Sequence, residues 1–184
     1  MCIRDRLEVA LKHPEMGESC RAYRKDAPVA HETLLDLLRT AILAPNASNR
    51  QSWRFYLCEG ETAARVAECC MAVPGNNTWA PDCAAFIVIS STVRASRVKD
   101  GLPHDFPTAD AGIAAAYLTL AAAEQGLGTC IVGSFDEEAV KQLLHVDAER
   151  RVHLIVAVGV PAQPPKMEKE RLPFDLSLIH ISEP

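Results

Sequence analysis

The chain has 184 residues, long enough for one domain with a genuine core and too short to make two the default. Its 48% hydrophobic and 23% charged residues are ordinary globular composition and exclude collagen-like and disordered classes. A formal net charge of -5, with one small basic cluster at Lys166, Lys169 and Arg171, argues against nucleic acid as a partner.

Taken in chain order, His31 to Leu43 places Leu34, Leu35, Leu37, Leu38 and Ile42 at three- and four-residue spacings, which predicts an amphipathic helix ending at Ala44-Pro45. Trp53, Phe55 and Leu57 alternate with Arg54 and Tyr56, the pattern of a half-buried strand. Glu61 to Val73 reads as a helix stopped by Pro74-Gly75, and Ala85 to Ser90 as a short buried strand. Thr108 to Gln125 is apolar on almost every side, with Asp110 and Glu124 as relief, so it is expected to lie in the centre of the domain. Thr129 to Val132 is a brief strand, Asp136 to Leu144 a helix with acidic residues in its first turn, and Val152 to Val160 a strongly apolar strand. Without strict βαβ alternation, the expected class is α+β, a mixed or mostly antiparallel sheet packed by helices.

No CxxC pair occurs among the seven cysteines, and the spacings of Cys20, Cys58, Cys69, Cys70, Cys83 and Cys130 fit no zinc pattern. The expectation is no metal, and buried free thiols in a reducing cytoplasm. The longest apolar run, Ile113 to Ala123, is too short to cross a bilayer, and no membrane association is expected. The ends, MCIRDR and LSLIHISEP, continue no neighbouring pattern and resemble translated adapter sequence. A single domain is therefore expected within residues 7–175, with 1–6 and 176–184 non-native.

Five patches bear on chemistry. Ser19-Cys20-Arg21-Ala22-Tyr23 sets a hydroxyl two residues from a cation. Ala44-Pro45-Asn46-Ala47-Ser48-Asn49-Arg50-Gln51-Ser52-Trp53-Arg54-Phe55 ends a helix, offers a polar loop and begins a strand on a large anchor, although the same residues also make an ordinary turn. Gly75-Asn76-Asn77-Thr78-Trp79 precedes the Ala85 strand and reads equally as a Pro-Gly-Asn turn. Gly126-Leu127-Gly128-Thr129-Cys130-Ile131-Val132-Gly133-Ser134 follows a helix and enters a strand, the reverse of a dinucleotide-binding loop. Lys169-Glu170-Arg171 alone is a solvated charge run.

In this order, the five patches resemble the nitroreductase family from about Ser19 to Arg171. The chain departs from the family pattern at Gly17, where an arginine is usual, and at Asn46 and Ser52, where serine and proline are usual. The resemblance implies a homodimer with non-covalent FMN. It implies FMN contacts at Ser19, Arg21, Pro45, Asn46, Ala47, Asn49, Gln51, Asn76, Ile131, Val132, Gly133, Ser134, Lys169 and Arg171, with Arg21 and Arg171 at the phosphate.

The implied activity is ping-pong transfer of electrons from NAD(P)H to nitroaromatics, quinones or similar small acceptors, with no catalytic side chain, since the flavin does the chemistry. A short Ser90 to Thr108 connection implies an open site and loose acceptor preference. Within it, Arg94, Arg97, Lys99 and His104 are either solvated or placed to meet an anionic acceptor. His104, His145 and His153 read as surface or packing residues. The alternatives are a non-catalytic flavin binder, favoured by Gly17, and a plain α+β interaction domain.

Overall fold

In the computed structural model, the described residues are 18–92, 97–99, 102–164, 172, 173 and 176. The chain forms an α+β fold around a four-stranded antiparallel sheet. Its strands are β1 (Trp53–Glu59), β2 (Ala85–Thr92), β5 (Gly128–Val132) and β6 (Arg150–Gly159), in the spatial order β1-β2-β6-β5. β1 and β5 are thus the edges. Three-residue strands β3 (Arg97–Lys99) and β4 (Leu102–His104) make a separate hairpin in the connection that the sequence suggests is merely short.

Alternation along the central strands, offset in β6 by an extra residue at 153, divides the core in two. Phe86 and Val88 of β2, with Val152, Ile155 and Ala157 of β6, face α2 (Gly60–Cys70) and α4 (Glu137–Leu144). Ile87, Ile89, Val156 and Val158 face α1 (His31–Ala41) and α3 (Phe106–Glu124). Residues one apart point to opposite faces, so a strand covered on both sides must be apolar at every position. This explains the run Ala85 to Ile89, every side chain of which is at most 1% exposed. Burial of each large residue contributes about 1.5 to 3 kcal/mol.

α3 begins with Asp105 as its cap, whose Oδ1 accepts the Thr108 backbone N–H at 3.1 Å, and with Pro107 in the first turn. Ala111, Ala114, Ala115, Leu118 and Ala122 are fully buried against the sheet and α1, so the helix is central as its composition suggests. Its opposite stripe, Ala109, Gly112, Ile113 and Ala116, is exposed in the single chain.

At the far end of the sheet, Gly128 and Gly159 are direct cross-strand partners. A Cβ at Gly128 would stand 2.7 Å from Cys20 Sγ, and one at Gly159 would stand 2.7 Å from Tyr23 Cδ1. The glycine pair clears a flat seat on which the N-terminal segment lies. That segment is fixed by the Cys20 N–H bond to Thr129 O and the Arg24 N–H bond to Val160 O, both 2.8 Å.

Candidate functional site

The loop between α1 and β1 carries backbone strain. Ser48, Asn49 and Gln51 have φ of 55°, 52° and 48°, the left-handed region that costs a non-glycine residue on the order of 1 kcal/mol. Two acceptors hold the shape: Asp110 Oδ1 takes the Ala47 N–H and Asn46 Oδ1 takes the Gln51 N–H, each at 2.9 Å. The Gln51 amide also donates to Asn49 Oδ1 at 3.2 Å. Trp53, 5% exposed, anchors the exit. Pro45, Asn49 and Gln51 remain open to solvent, with Asn46 and Ala47 half-buried. Asp110, which reads in the sequence as polar relief in an apolar helix, is the anchor of this loop.

A second group gathers along β5. An isolated parallel bridge sets Ser19 beside Thr129. Burial raises the Cys130 thiol above its ordinary value, opposed by the Arg21 charge and by hydrogen bonds from Ser19 and Arg21. Ile131 is 43% exposed although it lies within a strand, Val132 is buried, and Gly133 has open space where a Cβ would stand. At the strand's end Asn76 Nδ2 reaches Ser134 Oγ at 3.4 Å. Its neighbour Asn77 makes the shorter bonds, donating to Ser134 O at 3.0 Å and to Cys70 O at 2.9 Å. The sequence alone does not distinguish the two asparagines. Their difference arises because Asn77, at φ 50°, turns its amide into the junction.

The structure brings Ser19 and Arg21 to one part of β5, and Asn76, Gly133 and Ser134 to its end. It does not bring the 45–51 loop to them, because that loop leads into β1, the opposite edge of the sheet, with β2 and β6 between. Three strand spacings amount to roughly 14 Å. Gly17, Lys169 and Arg171 lie outside the described residues, as do the side chains at 93–104.

Sequence reasoning misses a third group. His153 sits at a register shift, where Ile89 pairs with Leu154 but Ser90 with Val152, leaving 153 as the extra residue. Such bulges re-aim a side chain. Ser91 Oγ lies 2.6 Å from His153 Nε2, Thr108 Oγ1 lies 3.1 Å from His153 Nδ1, and Thr108 Oγ1 donates to Asp105 Oδ2 at 2.5 Å. Burial lowers the His153 pKa from its ordinary 6.5, with Asp105 and Glu137 opposing and Arg151 reinforcing. The Thr108 hydroxyl holds the Asp105 carboxyl below its usual range.

Burial raises the thiols of Cys58, Cys69, Cys70, Cys83 and Cys130, Cys58 and Cys70 to about 12, so none of these five is a ready nucleophile at neutral pH. Among the described residues no cluster of ligands suits a metal ion, and no helix is long and apolar enough to cross a membrane.

Comparison with known proteins identifies the family and the fold. The sequence profile of the nitroreductase family matches residues 18–160. A protein of Archaeoglobus fulgidus, provisionally named an NADH dehydrogenase/NAD(P)H nitroreductase, is 27% identical over 160 residues, covering 84% of this chain and 87% of its own length. The crystal structure of a nitroreductase family protein from Streptococcus pneumoniae superposes with a TM-score of 0.80 at 20% identity, covering 93% of this chain and 99% of that one. An FMN-dependent nitroreductase from Clostridium difficile gives a TM-score of 0.73 at 23% identity, covering 92% and 96%.

Proposed function

Since the chain belongs to the nitroreductase family of oxidoreductases, we propose that it is an FMN enzyme that uses NADH or NADPH to reduce nitroaromatics, quinones or similar small acceptors. The observation that carries this reading is the open side of β5. Exposed polar groups at Ser19, Arg21 and Asn76, with half-buried Ser134, flank the exposed apolar Ile131 and the bare backbone at Gly133. A cation and hydroxyl suit a phosphate, an apolar surface suits a flat ring, and amides suit the ring's polar edge. The residues present therefore fit FMN, and the solved relative from Clostridium difficile is named for it.

Bound FMN supplies the electron transfer itself. The chain's own part is to bind and orient. Arg21, with Ser19, would neutralise the phosphate, joined by Lys169 and Arg171; Asn76 and the backbone at Ile131, Val132, Gly133 and Ser134 would hold the ring. No side chain is assigned as nucleophile or acid. Nicotinamide and acceptor take turns on the one open side, so double-reciprocal plots run parallel.

The 45–51 loop completes the site only from a second copy. Support comes from its position on the opposite sheet edge and from uncovered apolar residues on the same side of the sheet: Ile42 at 52% exposed, Leu43 at 61%, and Ile113 at 38%. An apolar stripe of this kind marks an interface. A homodimer would bring Pro45, Asn46, Ala47, Asn49 and Gln51 of one protomer to the β5 site of its partner.

The test is anaerobic mixing of the yellow protein with each nicotinamide, followed by a nitroaromatic. Bleaching that the acceptor reverses is the expected result. A bound flavin that neither nicotinamide bleaches would make the protein a binder that does not turn over, and a colourless protein that takes up no FMN would refute the cofactor assignment.

A further inference from the structure

With the His153 ring neutral, the form that burial favours, its hydrogen bonds have one self-consistent direction. A carboxylate is an acceptor only, so Thr108 must spend its single hydroxyl hydrogen on Asp105 Oδ2, 2.5 Å away. Thr108 Oγ1 can then only accept from His153, which puts the ring hydrogen on Nδ1. That leaves Nε2 of the neutral ring as an acceptor, filled by the hydroxyl of Ser91 at 2.6 Å. Ser91 is 0% exposed and belongs to β2, a strand paired on both sides, with β1 and with β6. The chain of bonds therefore runs from a fixed interior point to the cap of α3, across sequence separations of 62 and 45 residues.

What depends on that cap is the strained loop. Asp110 is in the first turns of the same helix, and its Oδ1 holds the Ala47 N–H at 2.9 Å. Three residues in the left-handed region would relax if that anchor moved. We propose that His153 is a positioning residue: through Thr108 and Asp105 it sets the start of α3, and through Asp110 it holds the 45–51 loop in its strained shape. The ring's hydrogen bonds run to Ser91 and Thr108, and it is assigned no chemical step. Its effect on the flavin rests on the function proposed above; its effect on the loop does not.

Hydrogen–deuterium exchange on the full chain reads the loop directly in a peptide covering 45–52. His153→Ala is expected to speed exchange there about tenfold while β2 keeps its protection. His153→Asn carries an amide N–H near the place of Nδ1–H and is expected to restore most of the protection; His153→Gln, which mimics Nε2 instead, is not. If His153→Ala fails to fold, Thr108→Val removes the hydroxyl link at an exposed position and should give the same local loosening. Unchanged exchange at 45–52 in a folded His153→Ala or Thr108→Val chain overturns the proposal, as does equal behaviour of the Asn and Gln variants. In parallel, titration of the flavin-free protein with FMN should show the Kd rising about tenfold in His153→Ala and staying near the wild-type value in His153→Asn. A wild-type chain that binds no FMN refutes the functional reading, and the exchange result still decides the relay.

Discussion

The carboxylate of Asp110 and the backbone N–H of Ala47 meet at 2.9 Å across 63 positions of sequence, tying the central helix to the loop that enters β1. Asp110 is only 5% exposed, and its neighbours on α3 are apolar. Loss of a hydrogen bond to a charged acceptor costs about 1.5 to 3 kcal/mol, and the loop's strain is released with it. Asp110→Ala should lower the thermal midpoint and raise the Kd for FMN by at least about tenfold, with Asp110→Asn intermediate because its amide oxygen still accepts. An FMN affinity unchanged in Asp110→Ala would show that the loop takes no part in binding.

Acid should act on this protein in two separate windows. Burial disfavours the charged ring of His153 in the fold, so the residue protonates more readily once unfolded, near 6.5. The unfolded state thus binds more protons as pH falls through 6.5, and stability drops until the lowered folded value is passed. Asp105, held below 3.8, loses its contribution only as pH falls below about that value. Denaturant midpoints at successive pH values should therefore fall as pH drops through 6.5 in the wild type and stay flatter in His153→Asn. A variant curve parallel to the wild type across that fall would contradict the assignment.

Much of the scaffold is legible in the sequence, because its signals are local. The leucines of α1 repeat at helical spacing, β2 is apolar at every position from Ala85 to Ile89 as a doubly covered strand must be, and α3 announces its central place by having almost no polar side. The β3–β4 hairpin is not legible, since each strand has three residues and one contains Pro103. The loop's turn chemistry shows in its asparagines, but its strain does not: nothing in Ser48 or Gln51 advertises a positive φ, and the anchor's partner is a backbone N–H with no sequence identity. His153 stays hidden for a related reason, because the register shift that aims it is a property of the pairing of two strands and not of either one.

The paired glycines make a prediction about packing. A methyl group at Gly159 would stand 2.7 Å from Tyr23 Cδ1 and 3.3 Å from the backbone nitrogen of Ala84, and the latter cannot yield easily. Gly159→Ala should cost about 1 to 3 kcal/mol by overpacking. Because the tyrosine belongs to the segment that carries Ser19 and Arg21, the same change should weaken FMN binding more than Leu118→Ala, which makes a cavity of similar cost under α3. Calorimetry and flavin titration of the two variants side by side test this; equal loss of affinity at equal loss of stability would remove any special role for the N-terminal seat.

The strongest test of the two-copy site uses two variants that each fail alone. Arg21→Ala damages the β5 side of the site, and Asn49→Ala damages the loop side, so each homodimer carries two damaged sites and should release FMN on dilution. If one protomer's loop serves its partner's β5 edge, a mixed dimer holds one site with both lesions and one with neither. Random re-pairing makes about half of the dimers mixed, so roughly a quarter of all sites should regain wild-type affinity. Should both halves of the site come from the same chain, every site in the mixture keeps one lesion and no affinity returns. Ile113→Glu supplies the control, because a charge on the exposed stripe of α3 should raise the dimer Kd by at least about tenfold and abolish the recovery. Light scattering confirms that mixing took place, and recovery of a quarter of the sites, lost again in the Ile113→Glu background, is the outcome the two-edge geometry requires.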